Sequence, residues 1–503
     1  MRVWKLLAAT LGTLLLIASA AGAVTRAFTT PVRLTGPTGG EPSIATDRFG
    51  DVFVVGPQGI PAGANGEPGI GFWVSRNDGT SFGPGRDIGS YLGGGDSTEV
   101  FSKGTLYVGD LEAVATQVCK STDRGKTFDS IGPVPDPSHC SNVGIGQAAP
   151  SDDRQWLTAG PGGTLYLTYH EFVSAQPLAF RSDNGGNDLF AHACGPIVTN
   201  PSIEANVPTD VTGGTLVANP VTDRAGNLYI LFVTTTQQQN LAAALAGQPS
   251  GTFSQVYLAV SHDHCQSFTD HTVFDGSKLG TNTVQFGDIF NNIAIDGAGN
   301  LYVVGVGYVG RTPFATTANA YVFRSTNHGV SWSAPALVGN AGSAHMLPAA
   351  VGGPKGGQLA IGFFRTINRV TNPNSTSGKW TYATAESTKT TAARPKFTYR
   401  DVNPGFVYHS GQICNAGILC GAPGEPSDRS LLDFTSAALD SHGCPLFTFA
   451  GNPAGAQNGT SNYVTRQLTG CFVTKATKQP APKKTKPPAP PRRRPSTTPA
   501  FTG

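Results

Sequence analysis

A hairpin signature recurs along this 503-residue chain: an apolar run, a turn holding glycine, then a second apolar run that often carries Leu-Tyr or a similar pair. Its copies span Ser43 to Gly56, Glu99 to Gly109, Leu157 to His170, Asn219 to Val233, Asn292 to Gly307, Ala350 to Phe364 and Ser436 to Gly451. A unit returning every roughly 55 to 85 residues marks a repeat architecture, because each unit buries its apolar faces only against its neighbours. Each copy reads as two buried strands. The 64 glycines, 37 prolines and 13% charged residues suit short strands and tight turns better than long helices.

Downstream of five hairpins stands a second pattern, Ser-x-Asp/Asn-x-Gly-x-x-aromatic, at Ser75 to Phe82, Ser121 to Phe128, Ser182 to Phe190, Ser261 to Phe268 and Ser325 to Trp332. Its polar residues can hydrogen-bond their own turn while the aromatic packs beneath. Cys265 replaces the glycine in the fourth copy, and the aromatic of the third falls one position late, at Phe190. These segments resemble the Asp boxes of the sialidase-like, BNR-repeat superfamily. The resemblance implies an all-β fold, a β-propeller of four-stranded blades with the box between the third and fourth strands. Seven hairpins favour seven blades; six remain if one hairpin is an excursion, since sialidases proper have six. One strand, near Tyr463 to Leu468, follows the last hairpin, and Phe28 to Gly36 looks like the post-box segment Ser331 to Gly339. The N-terminal strand is therefore expected to complete the last blade and remove the open edge.

Residues 1–23 read as a cleaved signal peptide: Arg2 and Lys5 precede the apolar run Leu6 to Ala18, and small residues offer cleavage after Ala20 or Ala23. The propeller is expected over 28–473, and a disordered Lys/Arg/Pro-rich tail over 475–503. Eight cysteines in an exported chain point to disulfides, with Cys414–Cys420 the first choice and Cys119–Cys140, Cys194–Cys265 and Cys444–Cys471 as the remaining pairs. The formal charge of +3 hides an asymmetry: without the signal and the tail's eight cations the remainder carries about −7. The expected product is secreted or envelope-associated and monomeric. It has no membrane span, nucleic-acid partner, metal or cofactor, and its tail suits an anionic envelope polymer.

In such a propeller the loops entering the innermost strands share one face with those leaving the second strands. Entry positions here include Glu41, Asp96, Asp153, Arg154, Gln155, Asp288, His345, Arg429 and Asp433, and the exits add Tyr169, His170, Glu171 and Arg365. Arg154, Arg365 and Arg429 are candidates for a carboxylate-binding fork. Asp153, Glu171 and Asp433 are the candidate acids and bases, with Asp153 and Glu171 the preferred catalytic pair. Tyr169, His170, Glu41 and Asp288 are the further ligand-binding candidates. The competing reading is structural, since Arg154 and Arg429 each lie beside an Asp and before a buried strand, where an ion pair would tie blades together.

The resemblance implies glycan recognition and, for an enzyme, glycoside hydrolysis of the sialidase type. Sialidases place an Arg-Ile-Pro motif near the mature N terminus; this chain has Glu41-Pro-Ser-Ile44 there, without the arginine. The alternative is a non-catalytic propeller that binds glycan or protein at the same mouth. Two carboxylates facing each other across a pocket, with arginines nearby, would separate the two.

Overall fold

Val52–Pro57, Leu165–Glu171 and Pro445–Gly451 are buried at every residue, as strands must be when both faces are covered by neighbouring sheets. They are second strands of three of seven four-stranded antiparallel blades, and the chain is a seven-bladed β-propeller. The computed structural model describes residues 27–58, 69–88, 95–112, 115–129, 144–145, 152–171, 176–187, 192–200, 216–235, 253–276, 284–286, 291–309, 317–414, 420–421 and 427–472. The expected signal peptide and basic tail lie outside these residues, as do Asp288 and Cys140. Among the described residues, no helix is long and apolar enough to cross a membrane.

Blade 1 is Ser43–Thr46, Val52–Pro57, Ile70–Ser75 and Arg86–Asp87, and blade 2 is Ser97–Ser102, Thr105–Glu112, Ala115–Ser121 and Gly144–Ile145. Blade 3 runs Asp152–Ala159, Leu165–Glu171, Gln176–Ser182 and His192–Ala193. In blade 4 the innermost strand is split into Leu216–Val217 and Val221–Thr222, followed by Leu228–Thr235, Phe253–Ser261 and Thr269–Asp275. Blade 5 is split likewise, Val284–Gln285 and Asn292–Ile295, ahead of Leu301–Val309, Thr317–Ser325 and Ala336–Leu337. Blade 6 comprises His345–Gly352, Leu359–Thr366, Lys379–Ser387 and Thr398–Asp401, with His409–Ser410 added to its third strand. Blade 7 is Ser436–Leu439, Pro445–Gly451, Ser461–Arg466 and, as its outermost strand, Val32–Arg33.

That last pairing is the expected closure: Val32 lies opposite Val464, Arg33 opposite Tyr463, and Thr29 N–H donates to the Arg466 carbonyl at 2.8 Å. The innermost strands touch in order around the ring, and that of blade 7 returns to that of blade 1. The core is divided among the blade interfaces. Phe53, Val55 and Phe72 pack with Leu106 and Val108 between blades 1 and 2, and Val52, Val54 and Trp73 pack with Leu446 and Val464 between blades 1 and 7.

The five Ser-x-Asp/Asn turns share one geometry. Each serine hydroxyl accepts the backbone N–H four residues on, at 3.0 Å in Ser75, 2.8 Å in Ser121, Ser182 and Ser261, and 2.9 Å in Ser325. The accepting turn needs a left-handed residue there, which glycine adopts freely and Cys265 adopts at φ 67°. Cys265 is bonded to Cys194, so the cysteine that breaks the pattern links blade 4 to the end of blade 3. Cys414–Cys420 and Cys444–Cys471 are bonded as expected, and Cys119 is also disulfide-bonded.

Candidate functional site

Four chain entries into the ring bend in the same way. Glu41, Arg154, Leu347 and Leu432 take left-handed φ values of 44°, 57°, 52° and 60°, and two of them precede proline. The innermost strands of blades 3 and 6 bulge at these points, between Asp153 and Trp156 and between Met346 and Ala349. Such backbone costs about 1–3 kcal/mol per residue and persists where the surroundings over-determine it. Here the bends bring the side chains of Glu41 and Arg154 together.

Arg154 is 5% exposed and gathers acids from three other blades. Its Nη1 donates to Glu41 Oε1 at 2.8 Å and Asp96 Oδ1 at 3.1 Å, its Nη2 to Asp433, and its backbone N–H to Asp96 Oδ2 at 3.2 Å. Asp433 N–H donates to Glu41 Oε1 at 2.7 Å, while Arg429 Nε donates to Asp433 Oδ1 at 3.0 Å. Blade 3 is separated from blade 7 by blades 1 and 2 on one side and by blades 4, 5 and 6 on the other, so Arg154–Asp433 crosses the ring axis. Beneath it the Trp156 and Phe434 rings meet at 4.8 Å, again from blade 3 to blade 7, and Trp156 Nε1 donates to the Val217 carbonyl at 3.0 Å. The axis is thus filled by a polar layer over an aromatic one.

Burial sets the protonation of this layer. It pushes Glu41 well above the usual carboxylate range against the opposing pull of Arg154, with Asp96 and Asp433 adding to the rise. Asp153 goes up to about 7, by burial first and by the charge of Asp96 next. For Asp433 burial also acts upward, but Arg154 and Arg429 outweigh it and the group sits below its ordinary value. Asp153 is half-buried, whereas Glu41 and Asp433 are closed off.

The structure therefore brings together Glu41, Asp153, Arg154, Arg429 and Asp433, and adds Asp96, an entry residue to which the sequence attached no chemistry. It corrects the catalytic pair. Asp152 stands opposite Glu171 and Asp153 opposite His170, so Asp153 and Glu171 belong to opposite faces of the blade 3 sheet. The three-arginine fork is also corrected: Arg365 Nε donates to Asp401 Oδ1 at 2.6 Å, its Nη2 to Asp401 Oδ2, and its guanidinium lies 5.8 Å from the Tyr399 ring. Tyr169 is 1% exposed and stacks on Phe180 at 5.6 Å, and His170 and Glu171 are buried at 2% and 3%. None of these three opens onto the mouth as a free ligand-binding surface. Asp152, next to Asp153, has its carboxyl pushed up to about 6 by burial. Asp288 lies outside the described residues.

Chemically, two guanidinium groups face four carboxylates, and the space between Glu41, Asp96 and Asp433 holds the Arg154 guanidinium. A glycosidic oxygen has no position between those acids, and the half-buried Asp153 is the acid left at the surface of the group.

The sequence matches no family model and no curated protein. Among solved structures it is similar to an ulvan lyase, at 9% identity and TM-score 0.48 over 87% of this chain and 97% of that one. It is also similar to a protein of unknown function from Dyadobacter fermentans, at 13% identity and TM-score 0.44 over 88% and 99%. A Hadza microbial sialidase aligns at 12% identity and TM-score 0.37 over 88% and 66%.

Proposed function

We propose that the chain is a secreted member of the sialidase-like Asp-box superfamily whose polar mouth recognises a neutral glycan without cleaving it. In this reading residues 1–23 are removed on export, the propeller spans 28–473, and the basic segment 475–503 holds the protein to an anionic envelope polymer. The observation behind it is the Arg154 cluster. Its arginines are already paired, Arg154 with Asp433, Glu41 and Asp96 and Arg429 with Asp433, so a sugar carboxylate would have to compete with acids in place. Carboxyl groups accept and donate to hydroxyls, so a neutral hydroxyl-rich ligand meets Asp153 without charge repulsion.

One observation favours hydrolysis as a second reading. Asp153 keeps its proton to about pH 7 while Asp433 is held low, an acid and a base set apart by environment. The two readings separate in one experiment, in which the purified mature protein is offered neutral and sialylated oligosaccharides and both retention and released sugar are measured. Retention of neutral glycans, weakened roughly tenfold or more by Asp153→Ala, with no product, is the expected result. Product formation abolished by Asp153→Asn would replace binding with hydrolysis, and preferential retention of sialosides would reject the mouth as described.

A further inference from the structure

The innermost strands begin at the Arg154 mouth and end, at the far side of the ring, in tight turns that enclose a second concavity. It has a volume of about 430 Å³ and lies between the turns of blades 4, 5 and 6, with Leu439 of blade 7 at its edge. This is within the range of small-molecule sites, roughly 300–1,000 Å³. Ile295, Ala298, Pro354 and Leu439 give it an apolar wall.

Its polar groups are unequal in what they have left to offer. Asp223 Oδ1 accepts the N–H groups of Ala225 and Asn227, both at 2.9 Å, and its Oδ2 accepts Asn227 Nδ2 at 2.6 Å and the Tyr229 hydroxyl at 2.9 Å. Asp296 is filled in the same manner: Oδ1 by Ala298 and Asn300 N–H at 2.9 and 3.1 Å, Oδ2 by the Tyr302 hydroxyl and Gly357 N–H at 2.6 and 2.7 Å. A cation entering the cavity finds no open carboxylate oxygen. His328, from the turn after the third strand of blade 5, has its Nδ1 3.1 Å from the Tyr229 hydroxyl. Arg224 is different, because it is exposed, lines the cavity and has no hydrogen-bond or ion-pair partner among the described residues.

We propose that this cavity binds a small ligand made of an apolar ring carrying one carboxylate, with the ring against Ile295, Pro354 and Leu439 and the carboxylate on the Arg224 guanidinium. A planar guanidinium presents paired donors that match a carboxylate, and the apolar wall favours a ring over a hydrated inorganic anion. The site is separate from the Arg154 mouth and does not depend on what binds there.

The test is a saturation-transfer NMR titration of the mature protein with cyclohexanecarboxylate, its neutral isostere cyclohexylmethanol, and the cation cyclohexylmethylamine. The carboxylate is expected to bind roughly tenfold more tightly than either, the margin of a charge-assisted hydrogen bond. Arg224→Ala should remove that margin, Ala298→Phe should block all three compounds by filling the cavity, and Asp153→Ala should change nothing. The Arg224 and Ala298 side chains are exposed, so an unchanged melting temperature will show that the fold is retained in those two variants. Equal binding of acid and alcohol, tighter binding of the amine, or carboxylate binding unmoved by Arg224→Ala overturns the proposal.

Discussion

Arg154 is the residue that joins Glu41, Asp96 and Asp433, from three different blades, in one cluster. Substituting methionine would leave Glu41, Asp96 and Asp433 facing one another with Arg429 as the remaining cation, paired to Asp433 alone. Breaking a buried ion cluster in this way costs about 3–5 kcal/mol, so Arg154→Met should lower the urea midpoint sharply. Arg365→Met, which removes a partly exposed pair with Asp401, should cost clearly less in the same measurement. The raised carboxyl of Asp153 has a consequence with a definite sign. The unfolded chain releases this proton near pH 4 and the folded one near 7, so between those values the native state binds more protons and loses stability as pH rises. His345, held neutral down to about 3 by burial and by Arg365, acts oppositely: its contribution is lost as pH falls below about 6.5. The two are separated by comparing variants. Asp153→Asn should gain stability relative to the parent as pH goes from 5 to 8, and no gain in the urea midpoint would contradict the raised value.

At the scale of strands and turns, the sequence was most legible where periodicity alone decides. The alternation of apolar runs and Gly turns gave each hairpin, and the serine-to-backbone bonds of the five turns follow directly from their residue types. The site was legible in part. Glu41, Asp153, Arg154, Arg429 and Asp433 are recognisable as polar residues just before buried strands, and that is where they meet. Arg365 and Glu171 stand at the exits of second strands as expected, but membership of an exit does not fix which way a side chain turns: strand parity sends Glu171 to the Asp152 face, and Arg365 reaches Asp401 on the outermost strand. A repeated Asp three residues before the turn glycine is a further signal in the sequence. Asp47, Asp223, Asp296 and Asp440 each accept two backbone N–H groups, two and four residues on. The exception at Cys265 makes a prediction for the element it sits in. Removing Cys194–Cys265, which closes a separation of 71 residues, should cost about 4 kcal/mol on the chain-entropy account. With Cys194→Ser in place, Cys265→Gly should melt higher than Cys265→Ser, because glycine takes the left-handed turn position without strain.

For the molecule as a whole, stability rests on closing the ring. Residues Phe28 to Leu34 supply the outermost strand of blade 7, bridge Phe28 to Gln467, and place Leu34 in the core between blades 7 and 1. A mature chain beginning at Pro37 should expose the edge of Ser461–Arg466 and self-associate, which size-exclusion chromatography with light scattering will register. Closure also fixes the location of the mouth, since Glu41 follows the N-terminal strand by a few residues while Asp433 precedes the last hairpin. The ends of the propeller and its candidate site are thus held by the same contacts.

The most direct measurement is hydrogen–deuterium exchange of the mature protein with and without a neutral oligosaccharide retained in the binding screen. Protection concentrated in peptides covering residues 40–44, 95–99, 152–156 and 429–434, and absent in Asp153→Ala, is the predicted result. Protection confined to the outer strands, or a mouth whose exchange ignores the bound sugar, would contradict the assignment of this cluster as the place where the propeller meets its ligand.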